Sequence, residues 1–251
     1  MTPTELPLGE EVSWKPARRP EGTVLRGAHV LVRPVDARAD ADPLYAASHP
    51  PAGDPAIWTY LPDGPYESPE HLRRVLAWAE EASDALYFSL VKLADERPLG
   101  VASYQRITPE FGVIEIGHIW LGPSLRRTTA ATEAIYLLAG HALDELGYRR
   151  LEWKCDALNV ASRRAAERFG FRFEGIFRNH MVVKGRNRDT AWYAITDHEW
   201  SVIRSGFEAW LAPENFDTRG GQIRPLKELI ASPRRHGEQP RRARRARPQP
   251  L

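Results

Sequence analysis

Apolar residues along this chain recur at two periods, and the switches between them mark its elements. Segments 85–93 (ALYFSLVKL), 98–107 (PLGVASYQRI) and 112–121 (GVIEIGHIWL) are rich in β-branched and aromatic residues and read as strands. The linkers Asp95-Glu96-Arg97 and Pro109-Glu110-Phe111-Gly112 are short enough for antiparallel hairpins. Residues 24–35 predict one further strand or a strand pair. A helical period replaces the alternation over 68–83, where Leu72, Val75, Leu76 and Ala79 share a face and Ser68 is a suitable N-cap. It returns over about 130–146, with Ile135, Leu138, Ala142, Leu143 and Leu146 as the stripe and Gly147 as the stop. Leu151, Trp153 and Cys155 then alternate within a strand at 148–155. A shorter helix at 159–169 closes on Gly170, and strands follow at 171–177 and 188–197. Hairpins followed by β-α-β-α-β predict an α+β domain with a central mixed, mostly antiparallel sheet flanked by helices.

The pattern fades at both ends. Residues 1–23, broken by Pro3, Pro7, Pro16 and Pro20, predict an irregular lead, and 24–215 the folded domain. The remainder, 216–251, is an extension. From about residue 232 it becomes a basic, Pro-interrupted tail with seven arginines, expected to be disordered and able at most to touch nucleic acid or a ribosome weakly.

Composition narrows the classes. Hydrophobic residues make up 42% of the chain, sufficient for a core. A net charge of +2, from 35 basic and 33 acidic residues, argues against the whole domain binding a polyanion. Cys155 is the single cysteine, so an intrachain disulfide and a Cys-rich metal site are excluded. The eight histidines show no recognised ligand spacing, so no metal is expected. No run approaches the roughly 18 apolar residues of a membrane span, and the start lacks the features of a signal peptide. A cytoplasmic protein without membrane partners is expected, and the excess of Arg over Lys suggests a GC-rich bacterial genome.

One stretch carries chemistry. Between the strand ending at Leu121 and the helix from about Ala130 runs Pro123-Ser124-Leu125-Arg126-Arg127-Thr128-Thr129-Ala130-Ala131-Thr132-Glu133-Ala134. A helix N-terminus presents unpaired N–H groups and a positive dipole end, a natural seat for a phosphate. Arg126 and Arg127 add charge, while Thr128, Thr129, Ala130 and Ala131 are small enough for an anion to approach the backbone. Downstream come Asn159-Val160-Ala161-Ser162 and Arg168-Phe169-Gly170-Phe171. Together, EIGHIWLGPSLRRTTAATEAIYLLAGHALDELGYRRLEWKCDALNVASRRAAERFGFRFEGIFRNH resembles the GNAT acetyltransferases, in particular the branch of ribosomal-protein N-terminal acetyltransferases. The resemblance covers roughly 24–200 and is densest over 112–200. Arginine and threonine replace two usual glycines of the turn.

The resemblance implies a GNAT fold and acetyl-CoA as co-substrate, with its pyrophosphate on the 126–131 turn. It implies a backbone N–H near Ile119, Trp120 and Leu121 polarising the thioester, and Asn159, with Ser162 one turn on, beside the pantetheine arm. A tyrosine that many members use to protonate the leaving thiolate is replaced by Ala166, leaving Ser162, Tyr193, water or an unassisted thiolate. The acceptor would enter opposite the cofactor, where Trp58, Tyr60, Tyr66, Trp120 and Trp192 are available as walls and residues 49–68 as a lid. That acceptor is open between a protein N-terminus, an amino acid and a small amine.

Acetyl transfer needs a neutral amine, hence a group to take its proton. Glu115 is the leading candidate: it alternates with Val113, Gly117 and Ile119, apolar company that should raise its pKa. His118, expected on the opposite face, is the second. Cys155 reads as a buried structural thiol. A monomer and a homodimer are both compatible with the sequence. The rival readings are a catalytically inactive acyl-CoA-binding module and a ribosome- or RNA-associated protein using the basic tail.

Overall fold

The hairpin-spaced segments pair as their alternation predicts. In the computed structural model, which describes residues 6–231, eight strands form one sheet. They are β1 (Leu25–Arg26), β2 (Val30–Pro34), β3 (Leu86–Lys92), β4 (Arg97–Thr108), β5 (Val113–Leu121), β6 (Arg150–Asp156), β7 (Arg172–Val183) and β8 (Arg186–Thr196). Their spatial order is β1-β2-β3-β4-β5-β6-β8-β7, and only β5 and β6 run parallel. This is the mixed, mostly antiparallel sheet expected. The region beyond 231, where a disordered basic tail is expected, lies outside the described residues.

Helices cover both faces. α1 (Ala37–Ser48) and α2 (Pro69–Glu81) bury Leu44, Leu72 and Leu76 against Val101 and Trp120 on one face. On the other, α3 (Thr129–Gly140), α4 (Val160–Arg168), α5 (Asp197–Leu211) and α6 (Leu226–Ala231) close the larger core around Ile114, Ile116, Leu151 and Tyr193. α3 ends six residues before the predicted helix end: it widens into a π turn over His141–Glu145, where Tyr104 Oη donates to the Leu138 carbonyl at 2.6 Å.

Three helices, α1, α5 and the short α6, lie outside the elements expected above. α1 has a weak apolar stripe and an internal Pro43, yet Asp36 caps it by accepting from the N–H groups of Arg38 and Ala39. α5 starts where the Glu199 carboxylate accepts from the Thr196 N–H and hydroxyl, both at 2.9 Å. The core also passes both boundaries set by periodicity: Ala17 joins it from the lead, and Leu226 and Leu229 join it from the extension.

The start of α3 is fixed by a buried carboxylate. Glu133 accepts from the N–H groups of Ala28, His29 and Val30 at 2.8, 2.7 and 3.0 Å, tying the β1–β2 turn to the helix. Gly27 is required beside it, because a Cβ there would stand 2.3 Å from the Glu133 carboxyl carbon. Replacing Glu133 with Ala leaves three donors without this acceptor, so Glu133→Ala should cost about 3 kcal/mol in urea unfolding. A loss below about 1 kcal/mol would show that water replaces the carboxylate there.

Candidate functional site

The sheet opens where its single parallel pair gives out. The β5–β6 ladder runs only through Val113↔Arg150, Ile114↔Leu151 and Glu115↔Glu152. Beyond Glu115, β5 stays with β4 as far as Gly100↔Leu121, while β6 stays with β8 as far as Asp156↔Thr190. The strands part, and the edge of Ile116–Leu121 facing β6 has no ladder partner among the described residues. Ile119, Trp120 and Leu121 therefore lie along a cleft. A helix begins at each strand's far end, α3 after β5 and α4 after β6. Arg168 of α4 reaches Thr132 of α3, Nη1 to Oγ1, at 3.1 Å.

The turn into α3 is tightly built. Gly122 N–H donates to the Leu99 carbonyl, and its own carbonyl accepts from Leu125 and Arg126. Arg127 adopts φ 59°, a left-handed conformation costly for a side-chain-bearing residue. Thr128 caps the helix: Oγ1 accepts from Ala131 N–H at 3.2 Å and donates to the Leu125 carbonyl at 2.7 Å. The N–H groups of Thr129 and Ala130 have no protein partner among the described residues. Ala130 and Ala131 pack in the core, so their small size serves the sheet as much as the turn. Arg126 is engaged, with Nε on the Leu121 carbonyl and Nη1 on Asp54 Oδ2, both at 2.9 Å. A cavity of about 250 Å³ is lined by Thr128, Thr129 and Ala130 together with Ala28, His29 and Lys92.

Glu115 occupies the last paired position before the strands part. It is 1% exposed, with Oε2 3.1 Å from Lys154 Nζ and 3.9 Å from Arg106 Nε. The Lys154 contact is an ion pair without hydrogen-bond alignment. Burial pushes the carboxyl above its ordinary pKa, against the pull of Lys154. The upward direction expected from sequence holds, but the company is ionic rather than apolar.

His118 departs from expectation. Between Ser103↔Gly117 and Val101↔Trp120 the β4–β5 register slips, so two residues of β5 oppose one of β4, and His118 takes φ 45°. The bulge breaks the alternation and turns His118 onto the face that holds Glu115, not the opposite one. Its ring packs edge-on against Tyr87, 5.5 Å between centroids, and Nε2 stands 3.6 Å from Asp63 Oδ1. Burial holds the imidazole below its ordinary pKa, with Asp63 pulling it up.

The second lip of the cleft serves structure first. Asn159 Oδ1 accepts from Ser162 N–H at 3.0 Å as the α4 cap, and Ser162 Oγ accepts from Trp153 Nε1 at 3.0 Å. Tyr193 is fully buried and accepts from Arg163 Nε. Ala166 is also fully buried, leaving no room for a tyrosine. Cys155 is buried with its thiol pKa raised by desolvation, as a structural thiol should be.

Above the cleft, the loop 49–66 is tied to three places. Asp54 holds Arg126, Tyr60 Oη donates to the Leu158 carbonyl at 3.3 Å, and Lys184 Nζ donates to the carbonyls of Trp58 and Asp63, both at 2.8 Å. Trp58, Tyr66 and Trp120 form its buried aromatic anchor, with Trp58 only 1% exposed. His49 stacks on Tyr45 and accepts from Tyr66 N–H through Nε2 at 3.0 Å. Trp192 lies further along the sheet, flanked by Arg106 at 5.1 Å and Lys154 at 5.6 Å from its ring centroid.

Residues 29–172 match the family described as the acetyltransferase (GNAT) domain. The chain belongs to the GNAT family, and it is an acetyltransferase enzyme of that family. It is similar to the crystal structure of a GCN5-related N-acetyltransferase from Brucella melitensis, at 44% identity and a TM-score of 0.85, over 88% of this chain and 99% of that one. It is 24% identical over 151 residues to the uncharacterized N-acetyltransferase p20 of Bacillus licheniformis, covering 59% of this chain and 84% of that protein. It is 26% identical over 157 residues to YdaF of Bacillus subtilis, provisionally named a ribosomal N-acetyltransferase, covering 62% of this chain and 78% of YdaF.

His49 and His118 make the site acid-sensitive. Burial lowers both folded-state pKa values below 6.5, so the unfolded chain takes up protons first as pH falls. Stability should therefore decline from about pH 6.5 downward, each histidine contributing at most about 1.4 kcal/mol per pH unit. Melting temperatures at pH 7.5 and 5.5 test this, and the decline should flatten in the His49→Gln, His118→Gln double variant. An unchanged slope would mean that neither ring is held neutral by the fold.

Proposed function

We propose that the chain moves an acetyl group from acetyl-CoA to a primary amine by direct attack of the amine on the thioester. The observation that carries this reading is the parting of β5 and β6 at Glu115, with the open N–H groups of an α3 start at the end of the cleft. These fit a diphosphate: Thr129 and Ala130 offer backbone donors, the dipole favours the anion, and Arg126 and Arg127 supply charge. Acetyl-CoA, when bound, supplies the activated acetyl group. The unpaired edge at Ile119–Leu121 donates to the thioester carbonyl, which lowers the cost of negative charge there. Asn159 and Ser162 border the pantetheine arm from the other lip.

The amine reaches the sheet face shared by Glu115 and His118, between the 49–66 loop and the β7–β8 hairpin. As the N–C bond forms and the C–S bond breaks, Glu115 takes the amine proton and water returns one to the thiolate. The raised pKa of Glu115 keeps its conjugate acid within reach of neutral pH. Among acceptors, the name given to YdaF supports a ribosomal-protein N-terminus.

Two measurements test this. Glu115→Gln should lower turnover by about 10²–10⁴-fold with acetyl-CoA affinity intact. Activity in the parent falls as pH drops through the raised carboxyl pKa, and that acidic limb should vanish in the variant. Full turnover with an unchanged profile would remove Glu115 from the reaction. Asp54→Ala frees Arg126 for the diphosphate, so calorimetry at low salt should show acetyl-CoA binding about two- to fivefold tighter, the gain shrinking as salt rises. No change would place the diphosphate away from Arg126.

A further inference from the structure

Among the described residues most cations beside the cleft are paired, and one largely covered arginine is not. Glu115 faces Lys154, Glu152 faces Arg106 and Arg150 at 3.2 and 2.8 Å, and Glu174 holds Arg150 at 2.6 Å. Three cations are thus matched by three carboxylates. Arg188, on β8, is left over. It is 9% exposed, yet its side chain makes a single hydrogen bond, Nε to Thr190 Oγ1 at 3.2 Å, and meets no carboxylate within ion-pair distance among the described residues. The residue is mostly covered, but its terminal nitrogens are not among the buried atoms and no carboxylate among the described residues engages them, so they are open to an incoming anion.

The position of Arg188 says which anion. Thr190 also bonds His180 Nδ1 at 2.9 Å, and the His180 ring packs 6.0 Å from Trp192, whose other neighbours include Lys154, the partner of Glu115. An unbroken row on one sheet face therefore links the proposed proton acceptor to Arg188. The hairpin carrying that row is tied to the 49–66 loop through Lys184, two residues before the Arg186 start of β8. Burial lowers the His180 pKa, and Lys154, Arg188 and Arg106 push it down further, which reports a positive field at this spot.

We infer that Arg188, with Thr190, is the specificity-determining subsite for an acceptor amine that also carries a carboxylate. The inference rests on the acetyl-transfer reading of the same cleft. A guanidinium with no carboxylate partner of its own among the described residues is free to take one from a ligand, and its fork fits the two oxygens of a carboxylate. An amino acid, or a short peptide with an acidic group near its free amine, has this chemistry. A simple alkylamine does not.

The test compares matched pairs that differ only in the carboxylate, such as alanine with alaninamide and an Ala-Asp peptide with Ala-Asn. Turnover is read with acetyl-CoA, and binding of the N-acetylated pairs is read by calorimetry, which needs no catalysis. In the parent protein, at least one carboxylate member should be favoured by about tenfold or more. Arg188→Gln should reduce that preference to within about twofold, and Arg188→Lys should keep part of it. Arg188→Met should melt no lower than the parent, because it removes only one hydrogen bond and no ion pair while keeping an apolar side chain in the covered position. Equal use and equal binding of the paired members by the parent would overturn the inference, as would a preference that survives Arg188→Gln. A melting temperature lowered by more than about 5 °C in Arg188→Met would also overturn it, by showing Arg188 to be structural. If no amine is acetylated, the transfer reading fails on its own, and the calorimetric pairs still decide the role of Arg188.

Discussion

Two parallel strands that pair for three rungs and then separate set the terms for the rest of the molecule. Backbone groups in a sheet interior normally find partners across both edges. From Ile116 to Leu121 one edge of β5 has none, and the separation is held open by packing on both sides. On one face Ile114, Ile116 and Leu151 bind the strands to α3. On the other, Trp120 anchors β5 under α1 and the aromatic loop, while Trp192 and Lys154 belong to the β6–β8 half. The strands belong to two differently supported halves of one sheet, and the cleft is the seam between them. Polar backbone exposed at a seam is where a ligand gains most from hydrogen bonding.

The bulge at His118 completes that arrangement. A regular strand would have sent Glu115 and His118 to opposite faces, with one of them in the hydrophobic core. The extra residue brings both to the face beneath the 49–66 loop, at the expense of a left-handed backbone conformation at a non-glycine residue. Burial moves their pKa values in opposite directions, the carboxyl up and the imidazole down. Each shift moves its group toward the neutral form relative to water, the carboxyl against the pull of Lys154 and the imidazole against that of Asp63.

Much of this architecture was legible because it rests on local rules. The β3–β4–β5 hairpins follow from alternation and short polar linkers, and Ser68 and Gly147 mark helix ends as capping chemistry requires. The start of α3 is visible as a threonine cap after a basic turn. α1 escapes because Pro43 and a weak apolar stripe hide it, although Asp36 signals its start. α5 was readable: Trp200, Ile203, Phe207 and Trp210 recur at a helical period behind a Thr-x-x-Glu cap. The site was legible only in part. Glu115 and the turn could be named from their place before and after a strand end. The ionic company of Glu115 could not, since Arg106 and Lys154 come from separate strands whose register is a tertiary property. The bulge that moves His118 arises from a one-residue mismatch between β4 and β5, and no single-strand periodicity contains it.

The last strand of the sheet shows a different constraint. Among the described residues β7 is paired only with β8, and nearly all its residues are solvent-exposed, including Ile176, Phe177 and Val182. An open edge of this length with apolar residues invites β-strands of other molecules to extend the sheet. The strand resists in two ways. Arg172, Glu174 and Arg178 punctuate it with charge, and register slips after Phe173 and Phe177, with Asn179 at φ 49°, kink it twice so that no long straight template remains. The irregular hairpin thus gives the exposed edge fewer consecutive straight, unpaired rungs on which another strand could add.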